Sequence, residues 1–416
     1  MSRIRKSLGL ATASALMVGG MLGATLAPAS AQDASPAAEA AAPALPPGCA
    51  VAASGLANPR FVIVEDGIVY VTLAGSAGDE AVFAEAGEGT PEPTEPITMY
   101  GASGSVAAIL ADGSVTEVAT GLPSFTFGTE VVGPAGIDIE NGIAYVATGG
   151  VGPATGTVPA RAGRAAVWSI DLQSGEATVV ADLETYEIEN NPDPWHIDSD
   201  PYGLVIGEDG MIYVADAGGN DIVKVDPATG ETSVLAVIPG LPGQQPNPDR
   251  GDAAEIDAVP TGLALAPDGG LYVSLLSGGP FFPQTAALMH VAMDGTVTTV
   301  ATGLTMLGDV TVAPDGSIYV VTMSENFIDP AGPAPGAIVK INEDGSNTPV
   351  ITGIPFPNGI AFDGEGNAYI TAMVSLPAGT PPGGMVWKCD AEAFQMMTTM
   401  PVEEGSPAAV EATPAG

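Results

Sequence analysis

The chain is poor in positive charge, histidine, cysteine and aromatic side chains. Its 416 residues hold 10 Lys and Arg against 49 Asp and Glu, with 2 His, 2 Cys and 5% aromatics. Three of the basic residues, Arg3, Arg5 and Lys6, precede residue 32, so the remainder keeps seven against 49, a net charge of −42. Such a surface repels nucleic-acid phosphates and anionic lipid, draws cations and favours solubility. Nucleic acid is excluded as a partner. Two histidines leave little for a Ser-His-Asp triad, and G-x-S-x-G, H-E-x-x-H, P-loop and C-x-x-C motifs are all missing. Beyond residue 31 no apolar run is long enough to span a bilayer, so no stable membrane insertion is expected.

The first 31 residues read as a secretory signal peptide: a basic start, the apolar stretch "LGLATASALMVGGMLGATLA" and the small-residue site Ala29-Ser30-Ala31. Cleavage near Ala31 predicts a secreted protein, extracellular or periplasmic. No cysteine follows the apolar stretch, which argues against a lipid anchor. Residues 32–48 form an Ala/Pro-rich linker and 401–416 a disordered acidic tail, leaving 49–400 as the folded part.

Within that part a strand run ending in tyrosine occurs six times, at Tyr70, Tyr145, Tyr213, Tyr272, Tyr319 and Tyr369. A tight Gly turn precedes each ("EDG", "ENG", "PDG", "GEGN"). An apolar run often opened by P-x-G precedes the turn, as in "GPAGIDI", "DPYGLVI", "VPTGLAL" and "FPNGIAF". A third run ("DIVKVD", "AIVKIN") and a fourth ("VTEVATGL", "TVTTVATGL") follow. Four short antiparallel strands per unit of about 40–50 residues define propeller blades. The fold class is therefore all-β, a six-bladed β-propeller of four-stranded antiparallel blades. The tyrosines are expected to pack between blades.

Closure follows from the first segment. "CAVAASGL" (49–56) resembles the ends of fourth strands but precedes the first blade's inner strand, so it completes blade six beside "GMVWKCD". Aligning the repeats puts Cys49 at the position of Val234 and Cys389 at that of Val225, which face each other across a hairpin turn. A Cys49–Cys389 disulfide would then staple the closure, in keeping with an oxidising compartment.

The long insertions, 74–104, 123–133, 149–164, 184–200, 240–258, 276–285 and 324–336, all fall on the second-to-third and fourth-to-first connections, hence on one face. Elaborated loops on a rigid scaffold point to binding there. The residue opening each inner strand should rim the channel on that face: Arg60, Ala135, Tyr202, Thr261, Gly308 and Asn358, with Asp309 one step on. Such a rim suits an anion, a polar ligand or a metal, and Arg60 alternatively pairs with loop carboxylates. The loop "ENNPDPWHIDSD" adds Trp195 and His196 as candidate contacts, His196 as a base, a ligand or a structural hydrogen bond. His290 reads as packing. Asp216, Asn220 and Asp221 in "ADAGGND" have calcium-like composition without EF-hand spacing, and are expected to cap turns.

The ordered set "ASGLANPR", "YGASGSVAAI", "ATGLPSF", "NNPDPWHIDSDPYGL", "YVADAGGNDIVKVDPATG" and "VPTGLALAPDGGLYVSLLSGGPFFP" resembles the ScyD/ScyE family of exported propellers related to NHL-repeat proteins. The resemblance implies fold and export rather than a reaction. Family members often carry histidine where this chain has Ala135. "FPNGIAF" is also similar to the P-N-G segment of gluconolactonase/SMP-30 enzymes, which bind a divalent metal at the channel mouth. That likeness implies Asn358 as a metal ligand and Asp309 as a second, with calcium or another divalent cation as cofactor; their N-terminal Glu ligand has no counterpart. A quinoprotein dehydrogenase would need a catalytic histidine and several cationic residues, in which the chain is poor. The expectation is a monomeric binding module taking a small molecule or a protein on its long-loop face, with a metal-dependent hydrolase at the channel mouth as the alternative.

Overall fold

The computed structural model describes residues 45–83, 96, 98–128, 130–150, 163–195, 197–247, 250–375 and 383–399. The leader, most of the linker and the acidic tail expected from the sequence lie outside them. Six antiparallel sheets surround one axis. Blades two to five run inner to outer in chain order, from inner strands Pro134–Glu140, Pro201–Ile206, Pro260–Leu265 and Leu307–Val312. Blade one starts at Pro59–Glu65, and blade six at Ile360–Phe362.

Local chemistry explains the strands. In the short hairpin turns an Asp carboxylate accepts the N–H two residues on, as Asp209 does from Met211, Asp268 from Gly270 and Asp315 from Ser317. The glycine between sits at positive φ (Gly210 73°, Gly269 84°, Gly316 83°), where a side chain would be strained. Tyr213, Tyr319, Tyr369 and Tyr70 are buried, as the repeat predicts, while Tyr145 and Tyr272 are half-buried. Each of Tyr213, Tyr319 and Tyr369 lies opposite a third-strand lysine whose ammonium is 5.5–6.0 Å from the ring centroid: Lys224, Lys340 and Lys388. His290 takes the same place over Tyr272 and bonds Asp268 at 3.0 Å, a surface pairing rather than core packing.

The inner strands approach so closely that P-x-G is a steric requirement. A Cβ on Gly136 would lie 2.6 Å from the Tyr202 carbonyl oxygen, one on Gly203 2.1 Å from that of Thr261, and one on Gly262 2.6 Å from the Asp309 Cα. Hydroxyls tie the same contacts: Thr72 donates to the Ala135 carbonyl at 2.5 Å, Thr261 to that of Leu307 at 3.0 Å and Thr371 to that of Arg60 at 2.7 Å.

Cys49–Leu56 completes blade six, against Gly384–Cys389. Cys49 is registered with Cys389 and the two form a disulfide closing 340 residues. The repeat alignment was two residues out at Cys49: Val225 faces Thr232, and Val234 faces Val223.

Three features were not expected. Blade one grows to six strands, since Thr98–Ile109 and Val115–Phe127 extend into the segments read as insertions, joined by Glu80–Val82 and Glu130–Val132. The 240–258 insertion is a hairpin of Leu241–Asn247 and Ala253–Ile256. Helices cover Leu183–Asn190 and Ala391–Thr399. Asp182 caps the first by accepting the Thr185 N–H, and Phe394 anchors the second edge-on to Tyr319 and Phe362.

Two stability tests follow from this packing. Replacing both cysteines by serine should remove about 5 kcal/mol or less of stability, the loop-entropy limit for so long a closed segment; an unchanged denaturation midpoint would contradict the closure role. Gly203→Ala should cost about 1–3 kcal/mol by overpacking, read as a lower Tm.

Candidate functional site at the channel mouth

The axis opens on the long-loop face into a cavity. The inner strands supply Arg60, Ala135, Tyr202 and Thr261, so four of the expected rim residues share one site. The loop before blade three supplies Asp198 and Asp200, and the blade-one extension supplies Phe127, Glu130 and Val132. Val259, Leu276 and Met323 complete an otherwise apolar wall. Val259 holds φ 53°, unusual for a β-branched residue, while its N–H bonds Asn220 Oδ1 at 3.0 Å.

Arg60 is buried and fully engaged. Its guanidinium donates to the Val374 carbonyl at 2.7 Å, to the Val131 carbonyl at 2.6 Å and to Glu130 Oε1 at 3.0 Å. It therefore joins blade six to the blade-one extension, and the pairing read as its alternative role is the one observed. Glu130 is drawn upward from the ordinary carboxylate range by burial, against the pull of Arg60.

Tyr202 closes the floor. Its ring packs edge-on to Phe61, with centroids 5.5 Å apart, and its hydroxyl crosses the axis to donate to Asn358 Oδ1. Burial raises its pKa above the usual tyrosine value. Asn358 is fully buried beneath it, its amide directed at the Arg60 carbonyl at 3.4 Å. Asp309 does not line the cavity. It reaches sideways to accept the N–H of Val310 at 2.8 Å and that of Ile360 in the next blade at 3.0 Å.

The metal pair implied by resemblance therefore does not fit here: the Tyr202 hydroxyl takes the Asn358 oxygen, and Asp309 serves a blade junction. Among the described residues no group of three or more His, Cys, Asp or Glu side chains is arranged to hold a metal ion. Trp195 is 47% exposed, lies against Gly251 and lines no part of the cavity. His196 lies outside the described residues.

Glu130, Asp198 and Asp200 are the site's acidic groups. Burial, then Asp216, pushes Asp198 up to about 7. Burial, then Asp198 and Asp216, raises Asp200 well above the usual carboxylate value. Asp200 Oδ1 accepts the Gly150 N–H at 2.9 Å. Asp198 and Asp200 sit in the acidic loop already singled out, but Glu130 carries no local signal, because only the blade-one extension brings it to Arg60.

Residues 207–395, covering most of blades three to six, match the family model described as SMP-30/Gluconolactonase/LRE-like region. No curated protein matches the chain. Among solved structures, it is similar to virginiamycin B lyase from Staphylococcus aureus (16% identity, 79% of this chain and 94% of that one, TM-score 0.43). It is also similar to regucalcin, a calcium-binding protein from Agrobacterium tumefaciens (14%, 80% and 90%, 0.45), and to a putative gluconolactonase (12%, 82% and 90%, 0.46).

Burial holds Asp309 at about 7, above its ordinary 3.8. A carboxyl with a raised folded pKa keeps its proton longer in the native state. Its stabilising contribution is complete below pH about 4 and is lost as pH rises towards 7. Asp309→Asn should flatten that part of the stability–pH profile, checked by denaturant unfolding across the range; an unchanged slope would remove Asp309 as its source.

Proposed function

We propose that the protein is a secreted, monomeric binding propeller that takes a small ligand in the channel-mouth cavity. The observation that carries this reading is the make-up of the cavity: a mainly apolar hollow, floored by Tyr202, with a few polar groups converging on it. Arg60 is already paired with Glu130, so Asp198 and Asp200, both held towards the protonated form by burial, are the acidic groups left to ionise against a cationic ligand. The ligand class that suits the cavity has an apolar body and a hydrogen-bond-donating or cationic end. The disulfide and the absence of a membrane-spanning helix among the described residues accord with export.

The competing reading, hydrolysis of the gluconolactonase type, draws support from the family match over residues 207–395. The engagement of Asn358 and Asp309 in the scaffold counts against it, and no metal-dependent step is assigned to them.

Thermal-shift titration with a panel of aryl-alkyl amines and a panel of lactones separates the two. Amines should raise Tm, and Asp200→Asn should weaken that response about tenfold or more, the scale of one lost charge-assisted hydrogen bond. Lactone turnover unaffected by Asp200→Asn, with no amine response, would replace binding by hydrolysis.

A further inference from the structure

Asp216 ends the second strand of blade three and Asp221 opens the third, and the register places them directly opposite each other. Both are buried, at 2% and 1% exposure. Like charges facing across a strand pair destabilise it unless something intervenes. Asp216 is well served by neutral donors: the Ser199 hydroxyl on Oδ2, and the N–H groups of Asp200, Gly218 and Gly219 on Oδ1. Asp221 is not. Neither of its oxygens has a hydrogen-bond partner, a rare and costly condition for a buried carboxylate.

The two carboxylates converge over a bare backbone. A Cβ on Gly219 would lie 3.3 Å from Asp221 Oδ1 and 3.4 Å from Asp216 Cγ, so glycine leaves a cradle between them. Glu187 of the first helix and Asp193 add negative potential at Asp221. The nearby arginine, Arg250, is directed at Asp193, Glu255 and Asp257. Among the described residues no ion pair reaches Asp216 or Asp221.

We propose that Asp216 and Asp221 bind one divalent cation over Gly219, with calcium as the fitting ion. Two carboxylates balance its charge, and hard oxygen donors with an irregular shell suit calcium better than magnesium, which demands a near-octahedral one. Water and main-chain oxygen fill the remaining positions. This site is separate from the Asn358 and Asp309 pair and does not depend on the small-ligand reading. It would brace the mouth from below, since Asp200 donates its N–H to Asp216 and accepts that of Ala217 through its own carbonyl.

The test is equilibrium calcium binding and thermal unfolding of the chelator-treated full protein at moderate salt. One calcium per chain should bind and raise Tm. Asp221→Asn, nearly isosteric, should abolish both effects and be at least as stable as the calcium-free parent. Gly219→Ala keeps both carboxylates but puts a methyl group in the cradle, and should weaken binding. It also decides the matter if Asp221→Asn fails to fold. Asp309→Asn should bind as the parent does. No calcium bound by the parent would overturn the proposal, as would parental binding by Asp221→Asn or Gly219→Ala, or loss of binding only in Asp309→Asn.

Discussion

The close approach of the inner strands around the axis is the constraint on which the rest depends. Six four-stranded sheets bury their faces only when packed in a ring, and the ring is tightest at the start of each inner strand. Gly136, Gly203 and Gly262 exist there because a neighbour's backbone occupies the space a side chain would need. The residues just before them, and Arg60 at the matching place in blade one, rim the channel, which is why Arg60, Ala135, Tyr202 and Thr261 meet although they are scattered through the sequence. A ring also needs closing. The N-terminal strand does this by joining the last blade, with a disulfide where Cys49 meets Cys389.

Charge is distributed by the same geometry. The three lysines beyond the leader sit on third strands over tyrosine rings. The described arginines, Arg60, Arg164 and Arg250, are buried on the loop side: Arg60 fastens the blade-one extension through Glu130, while Arg164 and Arg250 join insertions to one another through Glu184 and Asp193. Among the described residues, Arg164 acts on Asp198, but no ion pair reaches Asp216 or Asp221. Dry carboxylates of this kind mark sites that take a proton, a cation or a cationic ligand.

The sequence by itself determined the repeat, the blade count, the closing strand, the disulfide and the face that carries the long loops. Each is encoded locally, in period-two strands, Asp-Gly turns and P-x-G starts, and the repeat multiplies a weak signal six times. The disulfide was legible even though the alignment behind it was two residues out, because an error in register does not change which strands pair. What only the tertiary structure decided is where side chains point. Asp309 and Asn358 are one step apart in the repeat, yet one bonds the next blade and the other lies under Tyr202. Glu130 reaches Arg60 only because blade one extends, and Asp221 is orphaned only because Asp216 has taken the turn's N–H groups. These outcomes depend on which of several donors lies nearest across a blade junction, a competition settled by packing rather than by residue type.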